Sequence, residues 1–290
     1  MSNARRCDLH THTTHSDGTL TPTELVELAR ARGISCLAVT DHDTLSGIEE
    51  AQDAGNRLGL EVISGIEISV MFEPGTLHIL GYFVDRNSAK IRECLAQLQE
   101  ARSRRNPRIV ERLRADGLDI SLHEVEAESG GGQIGRPHFA QVMVKKGYVK
   151  DADEAFQKYL ARGASAYVDK RTLASRAAIQ MIEESGGIAV LAHPKQLQLD
   201  SDPKRFEDEI RRLVSEGLKG IEVYSSCQSK KEAARYRKTA VELNLLMTGG
   251  SDFHGAVRPA VQLGWMGDGV TIPYETVDQM KHIILERKLR

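Results

Sequence analysis

Paired cysteines, aromatic clusters, long apolar runs and a surplus of either charge are all missing from this chain, and each absence narrows what it can be. The four cysteines, Cys7, Cys36, Cys94 and Cys227, stand singly, with no C-x-x-C pair to build a zinc ribbon or a redox couple. They read as reduced, mostly buried small hydrophobes. Aromatics are 5% of the 290 residues, so extensive stacking of bases along a nucleic-acid strand is not expected. No run is long enough to span a membrane. The polar start Met1-Ser2-Asn3-Ala4-Arg5-Arg6 leads straight into Cys7-Asp8-Leu9-His10, without the apolar stretch of a secretory signal, and a cytoplasmic protein is expected. A net charge of −2 excludes a broad basic surface but leaves room for a local basic pocket.

What is present suffices for a large core, since 40% of the chain is hydrophobic. Short β-like runs recur at Cys7 to His10, Ser35 to Thr40, Glu61 to Ile66, Leu77 to Val84, Ile188 to Ala192, Gly220 to Tyr224 and Leu245 to Thr248. Amphipathic helices fall between them. Pro22 to Arg32 opens after Thr21 with proline in its first turn and closes at Gly33. Leu45 to Leu58, Leu173 to Glu184, Lys204 to Glu216 and Lys230 to Leu243 carry the same period. Alternation of this kind predicts an α/β fold with a parallel sheet, open or closed into a barrel, and chemistry at the strand ends. Residues 86–167 differ: they are charged and helix-rich, hold no convincing strand, and are interrupted by Gly130-Gly131-Gly132, a candidate hinge. They read as a helical module inserted into a barrel formed by 1–85 and 168–290.

The polar residues that follow these runs carry the chemistry. His10-Thr11-His12 sends two imidazoles the same way along an extended chain, so both reach one ion. Asp17 follows in a loop. The next strand ends in Thr40-Asp41-His42-Asp43, the third carries Glu67, the fourth His78, and later ones lead into His193-Pro194 and Ser251-Asp252-Phe253-His254. A single histidine is ordinarily a surface or hydrogen-bonded residue. Six of the ten, gathered with Asp17, Glu67 and Asp252, would be costly to bury without cations, so metal binding is the economical reading.

In order and spacing, His10-Thr11-His12-Thr13-Thr14-His15-Ser16-Asp17-Gly18, Thr40-Asp41-His42-Asp43-Thr44, Gly65-Ile66-Glu67, His193-Pro194 and Ser251-Asp252-Phe253-His254 resemble the motifs of the PHP (polymerase and histidinol phosphatase) phosphoesterases. The resemblance implies a distorted seven-stranded β/α barrel, in agreement with the strand count. It also implies three metal sites: His10, His12, Glu67 and Asp252 on one ion, Glu67, His78 and His193 on a second, and Asp17, His42 and His254 on a third. The N/O donor set suits Mn²⁺ first, with Fe²⁺, Zn²⁺ or Mg²⁺ as alternatives. Such ions turn a bridging water into hydroxide near neutral pH for direct attack on phosphorus, with Glu67, Asp252 and His254 holding the activating metals. No serine or cysteine nucleophile with a partnered base is evident.

Substrate choice is expected from the inserted module. Gly135-Arg136-Pro137-His138-Phe139 places Arg136 and His138 at a helix start, where free N–H groups favour anions, although His138 also suits a capping role. Lys170, Arg171 and Lys195 are placed to line the same mouth or to be solvated surface charge. Tyr82 and Phe139 are candidates to pack one base, with core filling the alternative for Phe139. Gly135 to Ala140 and Tyr159-Leu160-Ala161-Arg162-Gly163 resemble the subgroup of 3′,5′-nucleotide bisphosphate phosphatases and 5′-to-3′ exonucleases on short RNA. That implies a small nucleotide with two phosphates, with short RNA as the rival substrate and no protein partner. A non-catalytic nucleotide-binding module and a sugar or amino-alcohol phosphatase are the remaining readings.

Overall fold

A computed structural model describes residues 5–267 and 270–289; Met1 to Ala4, where the N-terminal reading began, lie outside it. The strands are β1 (Arg6–Thr11), β2 (Cys36–Val39), β3 (Glu61–Val70), β4 (Leu77–Tyr82), β5 (Ile188–Leu191), β6 (Gly220–Ser225), β7 (Leu246–Gly250) and β8 (Ile272–Pro273). They form one sheet in the order β7-β6-β5-β4-β3-β2-β1-β8. The expected seven strands are all there, and the sheet is one larger. Its extra strand, β8, pairs antiparallel with β1 through Arg6 and Cys7, and two residues are too few to leave a periodic signal in the sequence.

The sheet curls until its two sides meet. Thr11 bridges to Phe253, Asp252 N–H donates to the His10 carbonyl at 2.9 Å, and His12 N–H donates to the Phe253 carbonyl at 2.9 Å. Gly250 permits this approach, because a side chain there would overlap His10 Cβ. Besides β8, the expected parallel sheet is corrected at one of the seven expected strands: β4 runs antiparallel to both β3 and β5. Residues 71–76, which join β3 to β4, are too few for the crossover a parallel pair requires.

Helices α1 (Pro22–Ala31), α2 (Ile48–Leu58), α3 (Ala89–Ala115), α4 (Leu122–Glu128), α5 (Arg136–Lys145), α6 (Ala152–Ala155), α7 (Ser175–Glu184), α8 (Pro203–Ser215), α9 (Lys230–Glu242) and α10 (Glu275–Leu289) complete the fold. A single π-helical turn, Phe156–Leu160, continues α6. At α1, Thr21 and Glu24 cap one another reciprocally, an arrangement in which losing the threonine costs about 1 kcal/mol.

The long helix α3 changes partners along its length. Ile91, Leu95 and Leu98 pack with Ile66, Ile79 and Ile182 of the barrel. Ile109, Val110 and Leu113 join a separate cluster with Val125, Phe139, Met143 and Leu160. Between these apolar stretches Arg102, Arg105 and Asn106 are buried. The glycine loop after α4 docks on the barrel, with Gln133 N–H donating to the His15 carbonyl at 3.0 Å. Gly132 leaves no room for a side chain there, because a Cβ would overlap the Thr14 carbonyl oxygen. This makes Gly132 a point of close contact. The cysteines are unpaired; Cys7 and Cys36 are buried as expected, whereas Cys94 is half-buried and Cys227 exposed. No helix among the described residues is long and apolar enough to cross a membrane.

Candidate metal centre

The strand pleat, the curled sheet and the reversed β4 deliver the nine expected ligands to one place. His10 lies within β1, and His12 immediately beyond it. Asp17 comes from the following loop, His42 follows β2, His193 follows β5, and Asp252 and His254 follow β7. Two do not sit where a strand stops: Glu67 lies inside β3 and His78 is the second residue of β4. Because β4 runs backwards, its beginning reaches the rim that the other strands reach with their ends.

Glu67 is the hub. Its Oε2 lies 3.2 Å from each of His10 Nε2, His12 Nε2 and His42 Nδ1. Its Oε1 lies 2.7 Å from His78 Nδ1 and 2.8 Å from His193 Nε2. Asp252 Oδ1 faces His10 Nε2 at 3.5 Å and His12 Nε2 at 3.4 Å. Asp17 faces His254 Nε2 at 3.4 Å and His42 Nε2 at 3.8 Å. Three groups bring their donor atoms within 4.8 Å of one another: His10, His12, Glu67 and Asp252; His42, Glu67 and His78; and His12, Asp17, His42 and His254.

These residues suit divalent cations on two grounds. His12 Nε2 and His42 Nδ1 are buried without a hydrogen bond, although a carboxylate oxygen is 3.2 Å from each, so their lone pairs converge on shared space. The donors are imidazole and carboxylate with no thiolate, the set preferred by Mn²⁺, Fe²⁺ and Zn²⁺ over softer ions. Asp252 at φ 57° and His193 at φ 25° hold left-handed backbone that non-glycine residues rarely adopt, and such strain gathers at functional sites.

Electrostatics point the same way. Burial pushes Glu67 and Asp17 upward, but the surrounding imidazoles overcome it and hold both well below the usual carboxylate range. Asp252 is held down likewise, by Arg258 and then by His10 and His254. Burial opposes protonation of His10, His12, His42 and His78, yet carboxylates raise His12 to about 9 while His42 falls to about 3. Cations are a natural replacement for these crowded protons.

A supporting layer holds the expected ligands, and apart from Lys170 sequence reading gave it no role. Glu222, buried in β6, reaches His10 Nδ1 at 3.1 Å and accepts the His193 N–H at 2.7 Å. Its signal was a carboxylate inside the apolar run Gly220 to Tyr224. Asp41 accepts from Thr13 N–H at 2.8 Å, Thr13 Oγ1 at 2.6 Å and Ser16 Oγ at 2.6 Å, pinning the loop that carries Asp17. Arg258 contacts Asp252, and Asp43 pairs with both Arg102 and Lys170. With its amide turned to suit both neighbours, Gln133 donates to the His42 carbonyl at 2.8 Å and accepts from Arg102 Nε at 2.6 Å.

The expected substrate residues separate. Lys170 is drawn into the site, held by Asp43 at 3.0 Å and by the Ser69 hydroxyl. Arg136 at the start of α5 donates to the Leu160 carbonyl at 3.0 Å. His138 is buried and its Nδ1 accepts the Gly135 N–H at 3.0 Å, which is the capping role. Arg171 is exposed near Gln97, and Lys195, also exposed, donates to the Cys227 carbonyl at 3.1 Å. Tyr82 is corrected: it is fully buried, its hydroxyl donates to the Leu9 carbonyl at 2.9 Å, and no face is left for a base. Phe139 is core. Beside the cluster opens a cleft of about 400 Å³, lined by His15, Ser46, Gln99, Arg102, Asn106 and Gln133 among others.

A barrel mouth crowded with imidazoles and carboxylates defines a metal-dependent hydrolase of phosphoric esters. Residues 8–226 match the PHP domain, and the chain belongs to that family. It is 36% identical over 287 residues to the 5′-3′ exoribonuclease Rnm of Escherichia coli, covering 97% of each chain. It is 35% identical to the 3′,5′-nucleoside bisphosphate phosphatase of Chromobacterium violaceum, covering 85% of this chain and 86% of that protein. A solved metal-dependent phosphoesterase of Bifidobacterium adolescentis superposes with a TM-score of 0.83 at 33% identity, covering 96% of both chains.

Proposed function

We propose that the chain removes the 3′-phosphate from nucleoside 3′,5′-bisphosphates, such as adenosine 3′,5′-bisphosphate, leaving the 5′-monophosphate and inorganic phosphate. The observation that carries this reading is a metal-capable cluster with a cleft beside it whose wall carries the buried cation Arg102 of α3. We assign 86–167 as the substrate-binding module and the remainder as the barrel. The name and coverage of the Chromobacterium violaceum relative support the choice of substrate.

Three divalent ions, with Mn²⁺ the first expectation, would be held by the ligand sets the family resemblance implies, with Glu67 shared between two of them. When bound they supply a nucleophile from water near neutral pH and neutralise charge on the phosphoryl oxygens. The protein's own part is positioning. Glu222 orients the His10 ring, Asp41 fixes the loop of Asp17, and Lys170 stands beside Asp43 and Ser69 to meet a phosphoryl oxygen. A covalent route through cysteine is not needed: the Cys227 thiol meets the Ser225 hydroxyl at 3.5 Å, and a hydroxyl is not the base such a nucleophile requires.

The second reading is a 5′-to-3′ exonuclease on short 5′-phosphorylated RNA, favoured by the name of the Escherichia coli relative. Phosphate release from adenosine 3′,5′-bisphosphate, 3′-AMP and 5′-AMP by Mn²⁺-reconstituted protein, with a chelated control, tests the first reading. Metal-dependent preference for the bisphosphate is the expected result. Faster turnover of 5′-phosphorylated oligoribonucleotides under the same conditions would replace it with the second.

A further inference from the structure

The segment that follows β7 is fastened to the barrel at both ends and left open in the middle. Ala256 N–H donates to the Thr19 hydroxyl at 2.9 Å. Further on, the Leu263 carbonyl accepts from Arg32 at 3.0 Å and Gly264 N–H donates to Asp8 at 2.7 Å. Between these anchors Arg258, Pro259 and Ala260 are exposed. Arg258 nevertheless turns its head back to the metal-capable cluster, where Nη1 donates to Asp252 Oδ2. The two oxygens of Asp252 are thereby divided: Oδ1 faces His10 Nε2 and His12 Nε2 at 3.5 and 3.4 Å, and Oδ2 is taken by the guanidinium. Of the expected carboxylate ligands Asp17, Glu67 and Asp252, only Asp252 is paired with an arginine or lysine among the described residues.

That single bond leaves most of the group unused. A guanidinium carries five N–H donors in a planar fork, and among the described residues Arg258 makes no other side-chain hydrogen bond or ion pair. Its side chain is 45% exposed, so the free donors stay within reach of a molecule at the rim. Asp252 first and, against the cost of burial, Asp17 and Glu67 favour its charge, which places it in the field of all three carboxylates. At the other end of the cluster stands Lys170, held by Asp43 and Ser69. Burial first, and then His193 and Lys170, lower the nearby His78. Glu67 joins the two ends, with Oε1 toward His78 and Oε2 toward His10 and His12. The cluster therefore has a fixed cation at each end.

We propose that Arg258 is a further catalytic residue: with Nη1 anchored on Asp252, its remaining N–H groups hold non-bridging oxygens of the phosphoryl group under attack, opposite Lys170. This rests on phosphoric-ester hydrolysis at the cluster and not on the choice of a bisphosphate as substrate. In that reaction water adds its oxygen to phosphorus as the ester P–O bond breaks, and its two protons end on the released phosphate and on the alcohol. Arg258 exchanges no atom. It neutralises charge spread over the equatorial oxygens, and donors already in place do this without reorganising at the moment of reaction. The bond to Asp252 is what holds it in place, since a long, half-exposed side chain otherwise gives up rotamer freedom each time it binds. A planar fork also matches two phosphoryl oxygens at once, which an ammonium does not.

The test compares wild type with Arg258→Met, Arg258→Lys and Arg258→Ala, all reconstituted with Mn²⁺, on adenosine 3′,5′-bisphosphate and on bis(p-nitrophenyl) phosphate, a diester with no second phosphate. In Arg258→Met kcat is expected to fall roughly 100-fold on both substrates, the cost of losing one fixed donor to the reacting group, with manganese content unchanged by elemental analysis. Arg258→Lys, which keeps a charge beside Asp252 but not the fork, is expected to regain only part of that loss. Added guanidinium ion is expected to restore Arg258→Ala. Calorimetry supplies a readout without turnover: inorganic phosphate should bind the metal-loaded Arg258→Met about tenfold more weakly than wild type. A manganese deficit in Arg258→Met, with kcat regained at saturating Mn²⁺, would show that Arg258 only holds Asp252 and would overturn the proposal. Unchanged kcat and phosphate affinity, or a loss confined to the bisphosphate, would overturn it as well. Wild-type turnover of the diester alone would remove the bisphosphate reading and leave Arg258 to be judged on the diester. Should wild type hydrolyse neither, phosphate affinity decides, and an equal value in Arg258→Met sinks the assignment.

Discussion

Glu222 and His10 are joined through the carboxylate Oε1 and the ring Nδ1 at 3.1 Å, while the other carboxylate oxygen takes the His193 N–H at 2.7 Å. One buried side chain therefore sets the ring of one expected ligand and the backbone of another. The remaining nitrogen of His10, Nε2, faces Glu67 and Asp252.

Glu222→Gln keeps the shape but removes the charge that favours an Nδ1–H tautomer at His10 and a donating lone pair at Nε2. Mutation of such a supporting partner typically weakens metal binding by roughly 10- to 100-fold. A Mn²⁺ titration is expected to show that loss, with turnover recovering at saturating metal. Turnover that stays low at saturation would mean Glu222 acts on something other than metal retention.

Asp252→Asn and Glu67→Gln should do more, because each removes a carboxylate that faces several imidazoles directly. The expected outcome is a metal deficit by elemental analysis and loss of phosphate release that added Mn²⁺ does not restore. Full metal content in either variant would remove that carboxylate from the ligand set.

The candidate site was legible because most of its expected ligands follow strands in recognisable polar clusters, and the pleat fixes which alternate residues face the same way. Glu222, Arg102 and Arg105 were less so, for a shared reason. Each sits in a regular element where a charged residue reads as surface, and only tertiary packing reveals that the face is buried. The reversal of β4 was readable in principle from the short link 71–76, whereas β8 carries too little sequence to declare itself. Tyr82 misled because an aromatic near polar residues looks available until the core closes over it.

Lys170 gives a pH dependence with a definite sign. Burial, and then Arg102, lower it from 10.5 to about 7, although Asp43 acts to raise it. Between those two values the unfolded chain holds more protons than the folded one, so this group makes stability rise with pH across that window. Lys170→Met removes that slope. The melting temperature of the variant relative to wild type, both metal-free, is therefore expected to be highest near pH 6 and to decline toward pH 9. A difference independent of pH would show that Lys170 titrates normally.

Gly132 ties the module to the barrel at the place where Gln133 reaches the His15 carbonyl at 3.0 Å and the His42 carbonyl at 2.8 Å. A methyl group there meets the Thr14 carbonyl oxygen, so backbone must yield on one side of the contact. The barrel loop is pinned by Asp41 through three hydrogen bonds, which makes the glycine loop the side that moves. Displacing it withdraws Gln133 from Arg102 and widens the cleft, while His10, His12, Glu67 and Asp252 keep their own supports. Gly132→Ala is accordingly expected to retain metal and to raise KM for the bisphosphate by about tenfold or more, since small misplacements of positioning groups are costly. Equal metal loss and KM change would instead place the glycine loop among the supports of the ligand cluster itself.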